Sequence, residues 1–407
     1  MSQISRKQDA DSTLSTAVPI IVGGMVILAL SFGFRSSFGV FLQPVTEGLG
    51  WPRETFSLSL AIQNLAWGLG GPVFGVLADR FGERRSLALG AGCYSLGLLL
   101  AASSHTPFGQ HLGAGVLVGL GCAGTGFGLV LAIVGRAVPE SRRSRVLAAT
   151  SAAGSVGQFA IVPLSRLAEA QLGWEGALYG LAMASLACFL CIPFLRSGAA
   201  DAEVGQNESL RRAVGKAGAD GSFWLLTLGF FTCGFHVAFI GAHLPAYVTE
   251  VCGSADLGSW ALGVIGLGNV FGVLLAGELA ARWRKKHVLS GIYGARALVV
   301  LGFLALPPTP GSVILFSVAA GLLWLATVPL TVHLVVHLHG TKFLATLYGL
   351  VFLGHQAGGF LGAWFGGWVH DRTGSYDAAW WIAIGLGALS AVAHLPIRES
   401  APRMAAA

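Results

Sequence analysis

Long apolar runs separated by short polar breaks dominate the chain, near 18–43, 55–78, 86–104, 109–137, 145–170, 174–195, 222–248, 258–281, 287–306, 311–338, 342–369 and 378–396. About 20 apolar residues in helical form cross the hydrocarbon layer of a bilayer. A helix also satisfies its own backbone groups where no water is at hand, so each run predicts a transmembrane helix, twelve in all. The one long polar interior stretch begins at Arg196 and carries Asp201, Glu203, Glu208, Arg211, Arg212 and Lys216. It divides the runs six and six. The expected organisation is a tail at 1–17, a six-helix bundle at 18–196, a linker of coil or surface helix at 197–221, a second bundle at 222–396 and a tail at 397–407.

The two halves repeat each other. GVLADRFGERR at 75–85, a charged hairpin between apolar runs, is echoed by GELAARWRKK from 277, although Ala281 stands where the first copy has Asp79. GFRSSFGVFLQPVTE in helix 1 is matched by GFHVAFIGAHLPAYVTE in helix 7, with Arg35 nine residues before Pro44 and His236 nine before Pro245. The first hairpin, by its spacing, its Asp-Arg pair, its glycine and its trailing arginines, resembles the signature loop between helices 2 and 3 of the major facilitator superfamily of secondary transporters. Superfamily resemblance extends over nearly the whole chain. FGFRSSFGVFL, CGFHVAFIGAHLPAY and GHQAGGF further resemble the bacterial monocarboxylate transporter and oxalate-formate exchanger branch. That resemblance implies the major facilitator fold, two pseudo-symmetric six-helix bundles rocking about a central site. One departure stands out: the branch places a carboxylate-binding arginine on helix 8, and helix 8 here has none.

Composition agrees with a membrane protein, since 54% of residues are hydrophobic, 11% are charged and 59 are glycine. Too few charges remain to clothe a surface facing water, whereas small residues let helices approach closely in lipid. With the N-terminus inside, 20 of the 25 basic residues fall on the cytoplasmic face, which predicts a multi-pass protein of the inner (plasma) membrane with both termini cytoplasmic. The net charge of +6 then faces anionic lipid headgroups and calls for no nucleic-acid partner. No cleavable signal is expected, because the first apolar run is long and lacks a small-residue cleavage site.

Candidate chemistry is confined to polar groups at membrane depth, where an ionisable side chain is costly unless it faces protein or a water-filled cavity. Arg35 is the chief of these, about 25 Å along helix 1 at ~1.5 Å per residue. The repeat pairs it with His236, and the expectation is that the two face each other across one cavity as anion ligands, with His243 two turns beyond His236 widening the site or serving its outer gate. Gln63, Asn64, Gln158, Asn269, His355 and Gln356 are further polar candidates, each also suited to a plain interhelical hydrogen bond. Arg296 divides evenly between a structural and a binding role. His236 and His243 are the expected proton-coupling residues. In the hairpin, Gly75 is expected to admit a close neighbour, Asp79 to act as a gating latch at a helix N-terminus, and Arg80 and Arg84 to anchor the loop.

Absences narrow the function. None of the 19 acidic residues lies in the middle third of a predicted helix, which disfavours a cation site. The PESRR at 139–143 is similar to a sugar-porter motif but lies in the loop between helices 4 and 5, which counts against sugar. The cysteines sit almost wholly within apolar runs, and HLVVHLH in helix 10 lacks the glutamate of HExxH, so no metal, cofactor or redox pair is expected. No nucleophile and base pair suggests an enzyme. The sequence therefore points to a monomeric secondary transporter of small organic anions, monocarboxylates foremost, working by proton symport or anion exchange. A multidrug or amphiphile exporter is the alternative, favoured by an aromatic cavity around Trp67, Trp324 and Phe235.

Overall fold

The computed structural model describes residues 2–195, 209–340 and 342–399, and no strand occurs among them. Helix α1 runs Ser2–Leu49, with its apolar span at Ala17–Leu49, followed by α2 (Arg53–Phe81) and α3 (Glu83–Ser103). The fourth span, α4 (Pro107–Ala137), contains a π-helical stretch at His111–Leu117 and a break before Phe127. Glu140–Ser185 is continuous except at Gly173, whose φ of 72° turns the chain between α5 (140–172) and α6 (174–194). Glycine suits that left-handed geometry because it has no Cβ to clash.

The second half begins with a short helix, Leu210–Ala219, then α7 (Gly221–Cys252), α8 (Ala255–Arg282) and α9 (Lys285–Ala305). The span α10 (Pro310–His339) is broken at Trp324 to Ala326, and α11 (Leu344–Thr373) and α12 (Asp377–Ala393) complete the fold. Among the described residues, ten helical stretches are long and apolar enough to cross a membrane; the 50-residue one folds as α5 and α6, and the shorter apolar α12 brings the spans to twelve. Residue 196 at the end of the expected first bundle, 197–208 of the expected linker and 400–407 of the expected tail lie outside the described residues. The chain beyond α12 is folded in as far as Glu399, whose buried carboxylate accepts the Lys285 and Lys286 amides at 3.0 and 2.9 Å and so caps α9.

Large apolar side chains such as Val73 and Val76 of α2 and Leu274 and Leu275 of α8 lie exposed on the outside of the bundle, a surface matched to lipid tails. The two halves meet chiefly through three helix pairs, α1 with α7, α2 with α11, and α5 with α8. Small residues make this possible. A Cβ on Gly39 would run into the Gly241 carbonyl, and one on Gly68 would lie 2.9 Å from Gln356 Cγ. Past Gly68 the helices part: positions for a Cβ on Gly71 and Gly75 of α2 have nothing within 4 Å. The halves are therefore closed at the end carrying Arg53 and splayed at the end carrying the 75–85 hairpin.

Candidate functional site

At the centre, α1 brings Arg35 to α2 in the middle of the interface. Its Nη2 donates to Asn64 Oδ1 at 2.8 Å, its guanidinium carbon lies 4.9 Å from the Trp67 ring centre, and its Nε is buried with no partner. No carboxylate pairs with Arg35 among the described residues. Asn64 is fixed in turn, because its Nδ2 donates to Leu60 O one turn earlier. Gln356 on α11 then reaches across the halves and donates through Nε2 to the Asn64 carbonyl at 2.9 Å. Its Oε1 lies 2.8 Å from His355 Nδ1. An amide oxygen only accepts, so His355 carries its proton on Nδ1 and presents Nε2 as an acceptor. Arg35, Asn64, Gln356 and His355 thus form one hydrogen-bonded chain from α1 to α11.

Aromatic rings border this chain. Phe32 lies 5.7 Å from Trp67 and 4.2 Å from Phe127, Trp67 meets Phe352 of the other half at 5.5 Å, and Phe352 stacks on His355 at 5.6 Å. Of these only Trp67 had been singled out from the sequence. A ring in an apolar run carries no polar marker, so the signal for Phe32, Phe127 and Phe352 is absent until the helices are assembled.

The expected opposition of Arg35 and His236 is not found. His236 is buried and its Nε2 donates to Ala383 O of α12 at 2.8 Å, so it turns into its own half while Arg35 turns to α2. The repeat fixes equivalent positions along α1 and α7 but not the neighbours on each side. His236 and Arg296 instead border a cavity of about 20 Å³ with Phe316 and Trp324, room for a single water and no carboxylic acid. Arg296 donates to the carbonyls of Leu323 and Trp324 where α10 breaks, and stands over the Tyr293 ring at 5.4 Å. It satisfies backbone that the broken helix leaves open. His243 donates to Ala363 O at 2.7 Å and packs 5.2 Å from Tyr376, on the gate side and away from Arg35. Gln63 donates to Ala114 O at 2.8 Å, an interhelical tie. Gln158 and Asn269 tie α5 to α8 through Leu262 O and Ser155 Oγ, each at 2.8 Å.

The hairpin also differs from expectation. Gly75 has open space around it, and Asp79 and Arg80 are exposed with no partner among the described residues. Arg84 donates to Pro193 O at the end of α6. The contact expected of Asp79 as a latch is not made in this conformer, where the halves are splayed at that end. No cluster of His, Cys, Asp or Glu able to hold a metal occurs among the described residues.

The opposite end is locked by residues that were not among the sequence candidates. Asp371 of α11 accepts the backbone amides of Arg53 and Glu54 at 3.0 and 2.7 Å. It caps α2 from the other half, where Pro52 supplies no side-chain cap. Arg53 bridges to Glu250 of α7 at 2.5 Å and donates to the Tyr376 hydroxyl at 2.8 Å; burial raises that hydroxyl above the usual tyrosine range. Glu54 accepts from Trp364 and Arg372 at 3.0 and 3.1 Å. A second strut joins Arg166 of α5 to Asp256 of α8 at 2.9 Å beside a cavity of about 240 Å³ lined in part by Gln43, Glu47 and Glu169.

Comparisons with known proteins agree with this architecture. The chain is 27% identical to the uncharacterized MFS-type transporter YcxA of Bacillus subtilis (strain 168) over 89% of this chain and 90% of that one. It is 28% identical to monocarboxylate transporter 13 of Bos taurus over 89% and 86%. Among solved structures, the nucleoside transporter NupG superposes with a TM-score of 0.74 at 14% identity, over 94% of this chain and 98% of that chain. The D-xylose-proton symporter does so with a TM-score of 0.69 at 13% identity, over 94% and 97%. The sequence pattern of the Major Facilitator Superfamily matches residues 24–363 and again 226–406. With twelve spans in two halves closed at one end around a central polar chain, the protein belongs to the Major Facilitator Superfamily and is a multi-pass membrane transporter, not an enzyme.

Proposed function

We propose that the chain carries small organic anions, monocarboxylates foremost, by alternating access between its two six-helix halves. The observation that carries this reading is Arg35, a guanidinium at mid-membrane between the halves with a buried, unpaired Nε and no carboxylate partner among the described residues. Such a fork accepts a carboxylate through two parallel hydrogen bonds. Relatives named as monocarboxylate transporters support the same class. In this reading Asn64 and Trp67 orient Arg35, and His355, linked to it through Gln356, is the proton acceptor near the cargo, a role expected from sequence for His236 and His243. The basic hairpin and both termini face the cytoplasm of the inner membrane. The conformer is then closed to the outside and open within, and the protein acts as a monomer with no cofactor.

The rings of Phe32, Trp67, Phe127 and Phe352 favour a second reading, export of an amphiphile. Counterflow of a labelled carboxylate panel into proteoliposomes, with and without a pH gradient, separates them. Trans-stimulated carboxylate uptake supports the anion reading. Absence of any carboxylate flux, with extrusion of an amphiphilic dye, supports the exporter.

A further inference from the structure

We propose that the cargo is an aryl carboxylate, a flat ring bearing one carboxylate, with Arg35 as the anion ligand and side-chain rings from both halves as the selectivity element. This rests on the anion reading above and narrows it. On α11, Tyr348, Phe352 and His355 recur at spacings of four and three, which sets them one above another on one face of the helix. Their rings form a column: Phe352 stacks on His355 with centres 5.6 Å and planes 10° apart, and Tyr348 stacks on Phe352 at 6.3 Å and 29°. The column starts at the splayed end of the bundle and runs inward to His355, the neighbour of the Gln356 that bonds Asn64. The first half supplies the facing group, Phe32 of α1, Trp67 of α2 and Phe127 where α4 resumes after its break. Trp67 joins the two groups, since its ring lies 4.9 Å from the Arg35 guanidinium carbon and 5.5 Å from the Phe352 ring. It precedes Gly68, beyond which the halves part. Trp67, Phe127, Tyr348 and Phe352 are each half-buried, so ring surface remains free beside Arg35.

Aromatic rings pair offset or edge to face at centre separations of about 4.5–7 Å, through a quadrupole that a saturated ring lacks. A short aliphatic acid that reaches Arg35 leaves the ring surface facing water. An aryl carboxylate covers that surface in the same step that pairs its charge, and it adds ring contacts which an alicyclic acid of equal size does not make. Charge sets the rest of the class. A second carboxylate would find no second cation here, because the other arginine at this depth, Arg296, holds the α10 carbonyls within its own half. An aromatic amine would meet Arg35 as a like charge. One molecule with a single carboxylate and a ring uses both the arginine and the rings.

The test is equilibrium binding to the full chain in lipid nanodiscs, by titration calorimetry with empty nanodiscs as the blank, at about pH 7.5, where carboxylic acids are ionised. The probes are benzoate, cyclohexanecarboxylate with the same carbon skeleton but no π face, propionate, and benzyl alcohol with the ring but no charge. Benzoate should bind about tenfold or more tightly than either of the other carboxylates, the effect of roughly two ring contacts. Phe352→Leu, which keeps apolar bulk, should cut the preference for benzoate over cyclohexanecarboxylate about threefold or more, while Phe352→Tyr should keep it; a merely structural role would weaken every probe alike. Equal affinity for benzoate and cyclohexanecarboxylate, propionate binding as tightly as benzoate, or a benzoate preference that survives both Phe352→Leu and Phe127→Leu overturns the aryl cargo and leaves the anion reading standing. Binding of benzyl alcohol with none of the three carboxylates overturns both and favours the exporter.

Discussion

Arg35 and Arg296 are both arginines at membrane depth, and their partners separate them. Arg296 gives Nε and Nη2 to two backbone carbonyls at the break in α10, with Nη1 left over inside its own half, whereas Arg35 bonds no backbone and is held by one side-chain amide and one ring beside the other half, with Nε left over. Arg296→Gln should therefore lower stability by about 2–3 kcal/mol, since carbonyls stripped of a partner cost about 1–3 kcal/mol each. Thermal unfolding in detergent measures this, and anion affinity of the folded variant should be unchanged. A normal midpoint with weakened affinity would return Arg296 to the binding site. From sequence Arg35 stood first and Arg296 was divided evenly between structure and binding, because depth is legible in an apolar run but the carbonyls of a helix break are not. Asn64, His355 and Gln356 were legible for the same reason as Arg35: polar groups among apolar ones stand out. The facing direction of His236 did not, since it depends on how α7 rotates against α12.

At the scale of the helices, the twelve spans follow closely from the apolar runs, with α2 expected at 55–78 and found at Arg53–Phe81. The breaks within α4 and α10 escaped notice because their residues stay apolar throughout, and hydropathy does not register a change of hydrogen-bond partner. The closed interface depends on glycines that the sequence marks only as abundant. Gly39 lies on the Gly241 carbonyl, so a Cβ there forces α1 from α7. Gly39→Ala should weaken closure at the Arg53 end while leaving each half folded. Overpacking typically costs about 1–3 kcal/mol, enough to raise the open population about fivefold or more. The reaction rate of an impermeant thiol reagent with a cysteine placed at Gln43, in the cavity at that end, reads the shift. An unchanged rate would mean that the two helices yield without parting.

Across the whole molecule, the closed Arg53 end and the open hairpin end fit one state of the alternating-access cycle proposed above. The pairing of the charged ends of α2 and α11 was not legible in the sequence, because a contact between residues more than 300 positions apart leaves no local pattern. Asp79→Asn should leave this conformer and its anion affinity intact yet slow turnover, because the latch would act only when the opposite end opens. Turnover in proteoliposomes set against affinity in detergent distinguishes the two effects. Wild-type turnover in that variant would remove the latch from the cycle.

The central claim is that Arg35 supplies the fixed positive charge for an anionic cargo between the halves. The most direct measurement is carboxylate counterflow in proteoliposomes by wild type, Arg35→Lys and Arg35→Ala, each first shown to be folded by thermal unfolding. Arg35→Lys keeps the charge but loses the planar fork, so affinity should fall about tenfold or more, and Arg35→Ala should carry no carboxylate. Undiminished carboxylate flux in folded Arg35→Ala would contradict the account.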